Sequence, residues 1–229
     1  MKRFLGGLLI GLSWAVWAQS ALAAGSTVVV WDFDNNTVGP MHTIQAAEPL
    51  SRLLPEVLLA NLSKLPEVSV VERVRLREIL EELKLGTSQL SSEETRLRLG
   101  RILGARNMVF GEYVLLAGMV RADIRLVEVE TARILLSEPI FGDERSIIDG
   151  TQSSAEKIAR QLAPAQQLAT PAAHYPSEAW SQFNQGLAAM DQKAFDAAVD
   201  AFRQLLTRYP DFMPAQRQLV LALERAARN

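Results

Sequence analysis

No cysteine occurs among the 229 residues. That excludes disulfides, thiol nucleophiles, cysteine-based metal sites and lipid attachment at a processed cysteine. Histidine is nearly as scarce, because His42 and His174 stand far apart in stretches that read as loops and so form no ligand cluster. Positive charge is also thin: Lys and Arg total 24 against 26 Asp and Glu, and the formal net charge is −2. Without a basic block, the counterion release that drives nucleic-acid binding has no source. What the chain has in quantity is apolar surface. At 48% hydrophobic residues it can build one domain of ordinary size and a small appendage.

Lys2 and Arg3 precede F-L-G-G-L-L-I-G-L-S-W-A-V-W-A, and Ala21-Leu22-Ala23 supplies the small-x-small pattern of a signal-peptidase site. Residues 1–23 therefore read as a cleaved secretory signal, and the apolar run is shorter than the roughly 20 residues that span a bilayer. The expectation is a periplasmic or cell-envelope protein with no lipid anchor.

The pattern beyond it divides into an α/β unit at 24–168, a linker at 169–177 and a helical segment at 178–229. T-V-V-V-W-D-F-D from Thr27 predicts a central strand closed by a turn at Asp34-Asn35-Asn36-Thr37. Leu50, Leu53, Leu54, Val57, Leu58, Leu62 and Leu65 keep helical spacing, and Pro55 must lie in the first turn or kink that helix. V-S-V-V-E-R-V-R-L-R-E-I-L-E-E-L from Val68 reads as a buried strand running into a helix with Leu76, Ile79, Leu80 and Leu83 on one stripe. The next helix is predicted to start at a capping box of Ser91 and Glu94, to bury Leu99, Ile102 and Leu103, and to stop at Gly104.

Three strands then follow, at Met108 to Leu116, Val120 to Val129 and Ile134 to Phe141, the first two joined at Ala117-Gly118. In the middle strand Arg121, Asp123 and Arg125 alternate with Val120, Ala122, Ile124 and Leu126, which makes one face wet. Val127 and Val129 break that parity, and a β-bulge near Leu126-Val127 would repair it. A helix from Asp149 places Ala155, Ile158, Ala159 and Leu162 on one side.

This order of elements, with V-V-E-R, L-G-A and R-L-V-E-V-E-T in succession, resembles the CsgG family over roughly Ser26 to Leu168. Members of that family are envelope proteins, named for the outer-membrane channel that exports curli subunits, and none is known as an enzyme. The resemblance implies an α+β sandwich with a mixed sheet. Two departures stand out. The tight connections at Ala117-Gly118 and Glu130 to Arg133 leave no sequence for membrane-spanning hairpins, whose strands need about 9 to 11 residues each. Ala132 replaces the glycine usual after the threonine of that turn, which predicts a different turn, since alanine disfavours positive φ.

Beyond Pro176, Ala198, Phe202, Leu205 and Pro210 fit the second helix and stop of a tetratricopeptide repeat, a family that this segment resembles. One repeat and a following helix fit, fewer than the about three that such stacks need, so the segment is expected to lean on another surface. In its first helix Trp180, Phe183, Leu187 and Met190 form an apolar stripe, either core or, where exposed, a helix-in-groove docking surface.

Catalytic candidates are few. Asp32-Phe33-Asp34 at a strand end has the carboxylate spacing of a haloacid-dehalogenase-type phosphatase, with Asp143 and Asp149 as magnesium ligands. However, Asn36 stands where a threonine is wanted, and Lys157 follows those aspartates rather than preceding them. His42 has no paired acid or serine and reads as a surface or turn residue. The reading as a whole is a non-enzymatic envelope protein that needs no cofactor or metal and acts as an assembly or adaptor component in envelope biogenesis or protein secretion. Its expected partners are other envelope or secreted proteins, with homo-oligomerisation and peripheral outer-membrane association as further options. The alternatives are an oligomeric outer-membrane export channel and, more remotely, a magnesium-dependent phosphatase using Asp32 and Asp34.

Overall fold

The computed structural model describes residues 26–71, 73–83, 90, 92–164 and 175–228. The signal-sequence reading at 1–23, Ser91 and most of the linker reading at 169–177 lie outside those residues. The run of β-branched residues in β1 (Ser26–Val30) is buried on both faces, with Val28, Val29 and Val30 at most 1% exposed. Such a strand belongs inside a sheet. It runs parallel to β3 (Val68–Val71) on one side and to β4 (Asn107–Leu116) on the other. Antiparallel pairing then adds β5 (Met119–Glu128) and β6 (Arg133–Gly142), giving the order β3-β1-β4-β5-β6. A short β2 (Asp34–Asn35) pairs with β4.

Helices cover both faces of the sheet. On one face, α2 (Leu50–Leu62) and α5 (Glu144–Leu162) pack over Val28, Val30, Val109, Ala122, Ile124 and Leu126. Before them α1 (Met41–Ala47) reaches β4, where the buried Tyr113 hydroxyl donates to the Ala47 carbonyl at 2.9 Å. On the other face α3 (Arg73–Glu82) and α4 (Glu93–Ile102) bring Leu76, Leu97 and Leu99 onto Val29, Trp31, Met108, Phe110, Val127 and Val129. Outside α2 and α5 stack α6 (Ser177–Asp191), α7 (Phe195–Arg208) and α8 (Met213–Ala226).

Several expectations are met with their physical cause visible. At Ala117 and Gly118 φ is 50° and 77°, the two positive values that a two-residue hairpin of right-handed twist requires. Gly104 takes φ 66° after α4, and the Ala105 and Gly104 amides close on the Gly100 and Arg101 carbonyls, a Schellman stop.

Others are corrected. Pro55 sits inside α2, beyond its first turn, and the Ser51 carbonyl that it leaves without an intrahelical donor accepts instead from the Phe33 amide at 2.9 Å. The proline thereby ties the chain after β1 to the helix. The N-cap of α4 is Ser92 rather than Ser91, its Oγ accepting from the Thr95 amide at 3.1 Å. β3 is an edge strand and only Val68 of its residues is buried. Ile102 and Leu83 are 64% and 44% exposed, so each apolar stripe is shorter than its spacing suggested.

The parity break in β5 has a cause besides the expected bulge. β5 pairs with β4 without a register shift, and Val127 and Val129 point into the α4 side, which is dry at that end of the sheet. The bulge expected near Leu126-Val127 is present, its extra residue supplied by β6: Leu136 pairs with Leu126 and Ile134 with Val127, leaving Leu135 extra. Ala132 keeps the positive φ, 57°, that a glycine would hold. α5 starts before Asp149, capped by Asp143, whose Oδ1 accepts from the Ser146 amide at 2.8 Å. His42 is a surface residue, as expected, exposed on helix α1 rather than in a loop.

Candidate functional site

The strand end that carries Asp32 and Asp34 is built for structure. Arg96, from the first turn of α4, donates Nη1 and Nη2 to the two oxygens of Asp34 at 2.7 and 2.8 Å and Nε to the Leu90 carbonyl at 2.6 Å. Its guanidinium also lies 5.5 Å from the Trp31 ring centre. A fork held on three sides in this way uses the geometry that makes arginine a bidentate carboxylate partner. Both oxygens of Asp34, the acid of the candidate pair whose nucleophile would be Asp32, are thus engaged by a cation. Of the proposed magnesium ligands, Asp143 caps α5, and hydrogen bonds from the Ser146 hydroxyl and amide hold its carboxyl below the ordinary carboxylate range. Among the described residues no group of three or more His, Cys, Asp or Glu is placed to hold a metal ion. Among the described residues the four aspartates therefore do not come together as one cation site.

The aromatic stripe of α6 is closed. Trp180 and Phe183 are fully buried, Leu187 and Met190 are 2% and 8% exposed, and Phe183 packs on Phe202 and Phe212 at ring distances of 5.6 and 5.5 Å. Gly186 opens the room for the Phe202 ring, which a Cβ would overlap. The stripe is thus interior to the three-helix stack, and a docking surface made of these four residues is not open.

That stack leans on α2, whose second face the apolar pattern did not reveal. Arg52, Glu56, Leu59 and Ser63 recur at i, i+4, i+7 and i+11 and look away from the sheet. Arg52 Nε donates to Asn184 at 3.0 Å, and its Nη1 lies 3.5 Å from Asp191. Glu56, 1% exposed, accepts from Gln218 Nε2 at 3.3 Å. Lys193 and Glu81, and Arg225 and Glu78, pair α6–α8 with α3. Between α2, β3 and α8 remains a cavity of about 150 Å³ bordered by Glu56, Val68, Val70, Arg217 and Gln218.

Two apolar surfaces stay open. Beyond α4 the sheet shows Leu116 and Phe141, 75% and 69% exposed, beside the ion pair of Arg121 and Asp123 at 3.1 Å. The outer side of α8 shows Met213, Val220 and Leu223. Neither was singled out from the sequence, where the same residues read as ordinary members of a strand and a helix.

Residues 14–116 match the family described as curli production assembly/transport component CsgG. The similarity to that family lies in the first half of the chain. The match bears out the resemblance read from V-V-E-R and L-G-A, and the matched segment contains β1 to β4 and α1 to α4. Solved structures similar to the chain include the LpoB C-terminal domain from Salmonella enterica, at 19% identity over 54% of this chain and 87% of that one, with a TM-score of 0.40. Lipoprotein GNA1162 from Neisseria meningitidis is 14% identical over 62% of this chain and 99% of its own, with a TM-score of 0.42. The PelC dodecamer from Paraburkholderia phytofirmans is 18% identical over 62% and 92%, with a TM-score of 0.34. No curated protein matches the chain.

Proposed function

We propose that this is a non-enzymatic cell-envelope protein that serves as an assembly or adaptor component in envelope biogenesis or secretion. The observation that carries the reading is the CsgG match over residues 14–116. The Asp34–Arg96 fork supports it, since it turns the one catalytic-looking motif into a structural joint. The sheet unit supplies the scaffold, and α6–α8, of tetratricopeptide type, are the partner-contacting element. Because the aromatic stripe is interior, contact falls to the outer surface of those helices rather than to Trp180, Phe183, Leu187 and Met190. The mature chain from residue 24 is periplasmic, released from its signal, and carries no lipid.

An export channel would need membrane hairpins, and the loops after β4 and β5 are two and four residues long. The test is the mass of the protein extracted from its envelope fraction with and without detergent. A small species in both conditions is expected, and a large ring present only with detergent would restore the channel reading.

A further inference from the structure

The cavity between α2, β3 and α8 has a lining of unlike parts. Glu56 and Gln218 form its buried polar part, 1% and 5% exposed, with Leu59 and Val68 as buried apolar wall. Arg217 and Val70 border it from half-buried positions. Gln218 Nε2 donates to Glu56 Oε1 at 3.3 Å, and that bond fixes the amide, because turning it over would set oxygen against carboxylate oxygen. The other end of the amide, Oε1, is buried and has no hydrogen-bond partner among the described atoms. A buried acceptor in this state is costly, and protein interiors meet it with a donor. Arg217 makes no ion pair or side-chain hydrogen bond among the described residues. A ligand that suits the cavity therefore brings a donor for Gln218 Oε1, an anion for Arg217 and a small apolar part for Leu59, Val68 and Val70.

We propose that this cavity binds a small α-amino acid, with its ammonium group at Gln218 Oε1 beside Glu56 and its carboxylate on Arg217. An ammonium suits the buried part better than a hydroxyl, because the neighbouring Glu56 carboxylate favours positive charge there. Arginine, for its part, meets a carboxylate with two parallel bonds. Size limits the side chain. At about 150 Å³ the cavity has the volume that takes about six non-hydrogen atoms, as an engineered cavity of that size takes benzene. Alanine has that many and glycine one fewer, whereas an aromatic amino acid is too large. The lining comes from α2 and β3 of the sheet unit and from α8 of the helical stack, so an occupied cavity ties the two together. The site is separate from the adaptor role and does not rest on it.

Isothermal titration calorimetry of the chain from residue 24 with glycine, L-alanine and D-alanine, against lactate, propionate and methylamine, reads the site directly. At least one of the three amino acids is expected to bind once per chain, with a dissociation constant on the order of 0.1 mM. Lactate, propionate and methylamine, each lacking one of the two charges, should bind at least about tenfold more weakly. Arg217→Gln should weaken the amino acid about tenfold and leave methylamine unchanged. Gln218→Leu should weaken both; if that variant unfolds the chain, Arg217→Gln still decides. Hydrogen exchange of α8 should slow when the amino acid is bound. No saturable binding of any of the three, propionate or lactate binding equally well, an affinity unmoved by Arg217→Gln, or slowed exchange that leaves out α8 would each overturn the proposal.

Discussion

The two sides of α2 are built differently. Toward the sheet it presents Leu54, Val57, Leu58 and Leu62, all fully buried, in an aliphatic layer continuous with Val28, Val109 and Ile124. Toward α6 and α8 it presents Arg52 and Glu56, with Leu59 one turn after them, and the contacts there include hydrogen bonds, an ion pair and the cavity beside Gln218. Burying aliphatic surface stabilises without directional demand, at about 25 cal/mol per Å². Polar joints contribute only about 1 kcal/mol per bond net, and Gln218 Oε1 in this one has no partner among the described atoms. The apolar cluster itself continues from α2 into α6–α8, so the difference teaches that the helical stack is held to the sheet unit by a seam of mixed character, apolar contact joined by these polar bonds, where the layer toward the sheet is aliphatic.

Substitutions on the two sides should therefore behave unlike each other. The largest effect is expected from Leu58→Ala, which opens a cavity in the dry layer and should cost about 2–5 kcal/mol in urea-unfolding free energy. Gly186→Ala comes next. Its methyl group meets the Phe202 ring, and overpacking of this kind costs about 1–3 kcal/mol, seen first as faster proteolysis after residue 175 with the sheet unit still resistant. Arg52→Met removes the contacts to Asn184 and Asp191 and should cost about 1 kcal/mol at low salt and less at high salt, measured as opening of α6–α8. Ala132→Gly has the smallest effect and the opposite sign. It relieves a positive φ and should stabilise the sheet unit by about 0.5–1 kcal/mol, leaving the seam unchanged.

Much of the sheet unit was legible because its signals are local. Gly104 ends α4, Ala117-Gly118 turn β4 into β5, and the spacing from Leu50 to Leu62 makes α2, each through a backbone preference or a period that acts within a few residues. What escaped depended on partners distant in the chain. The Ser51 carbonyl freed by Pro55 finds the Phe33 amide, and Arg96 finds Asp34 across 62 residues; no periodicity announces either. Val127 and Val129 looked like a parity fault because a strand's pattern does not say how far a helix such as α4 reaches across its other face. The stripe of α6 was visible, but whether it faced solvent or a core turned on Phe202 and Phe212, which come from α7 and its exit. The polar stripe of α2 was present in the sequence and was masked by the stronger apolar one.

Hydrogen exchange read by mass spectrometry, residue range by residue range and at low and high salt, tests the two unlike seams most directly. The account predicts that amides of α6, α7 and α8 exchange through an opening that salt makes easier, while those of β1, β4 and β5 stay protected until the whole chain unfolds. Exchange of the helical stack and the sheet with one common free energy, unmoved by salt, would contradict it.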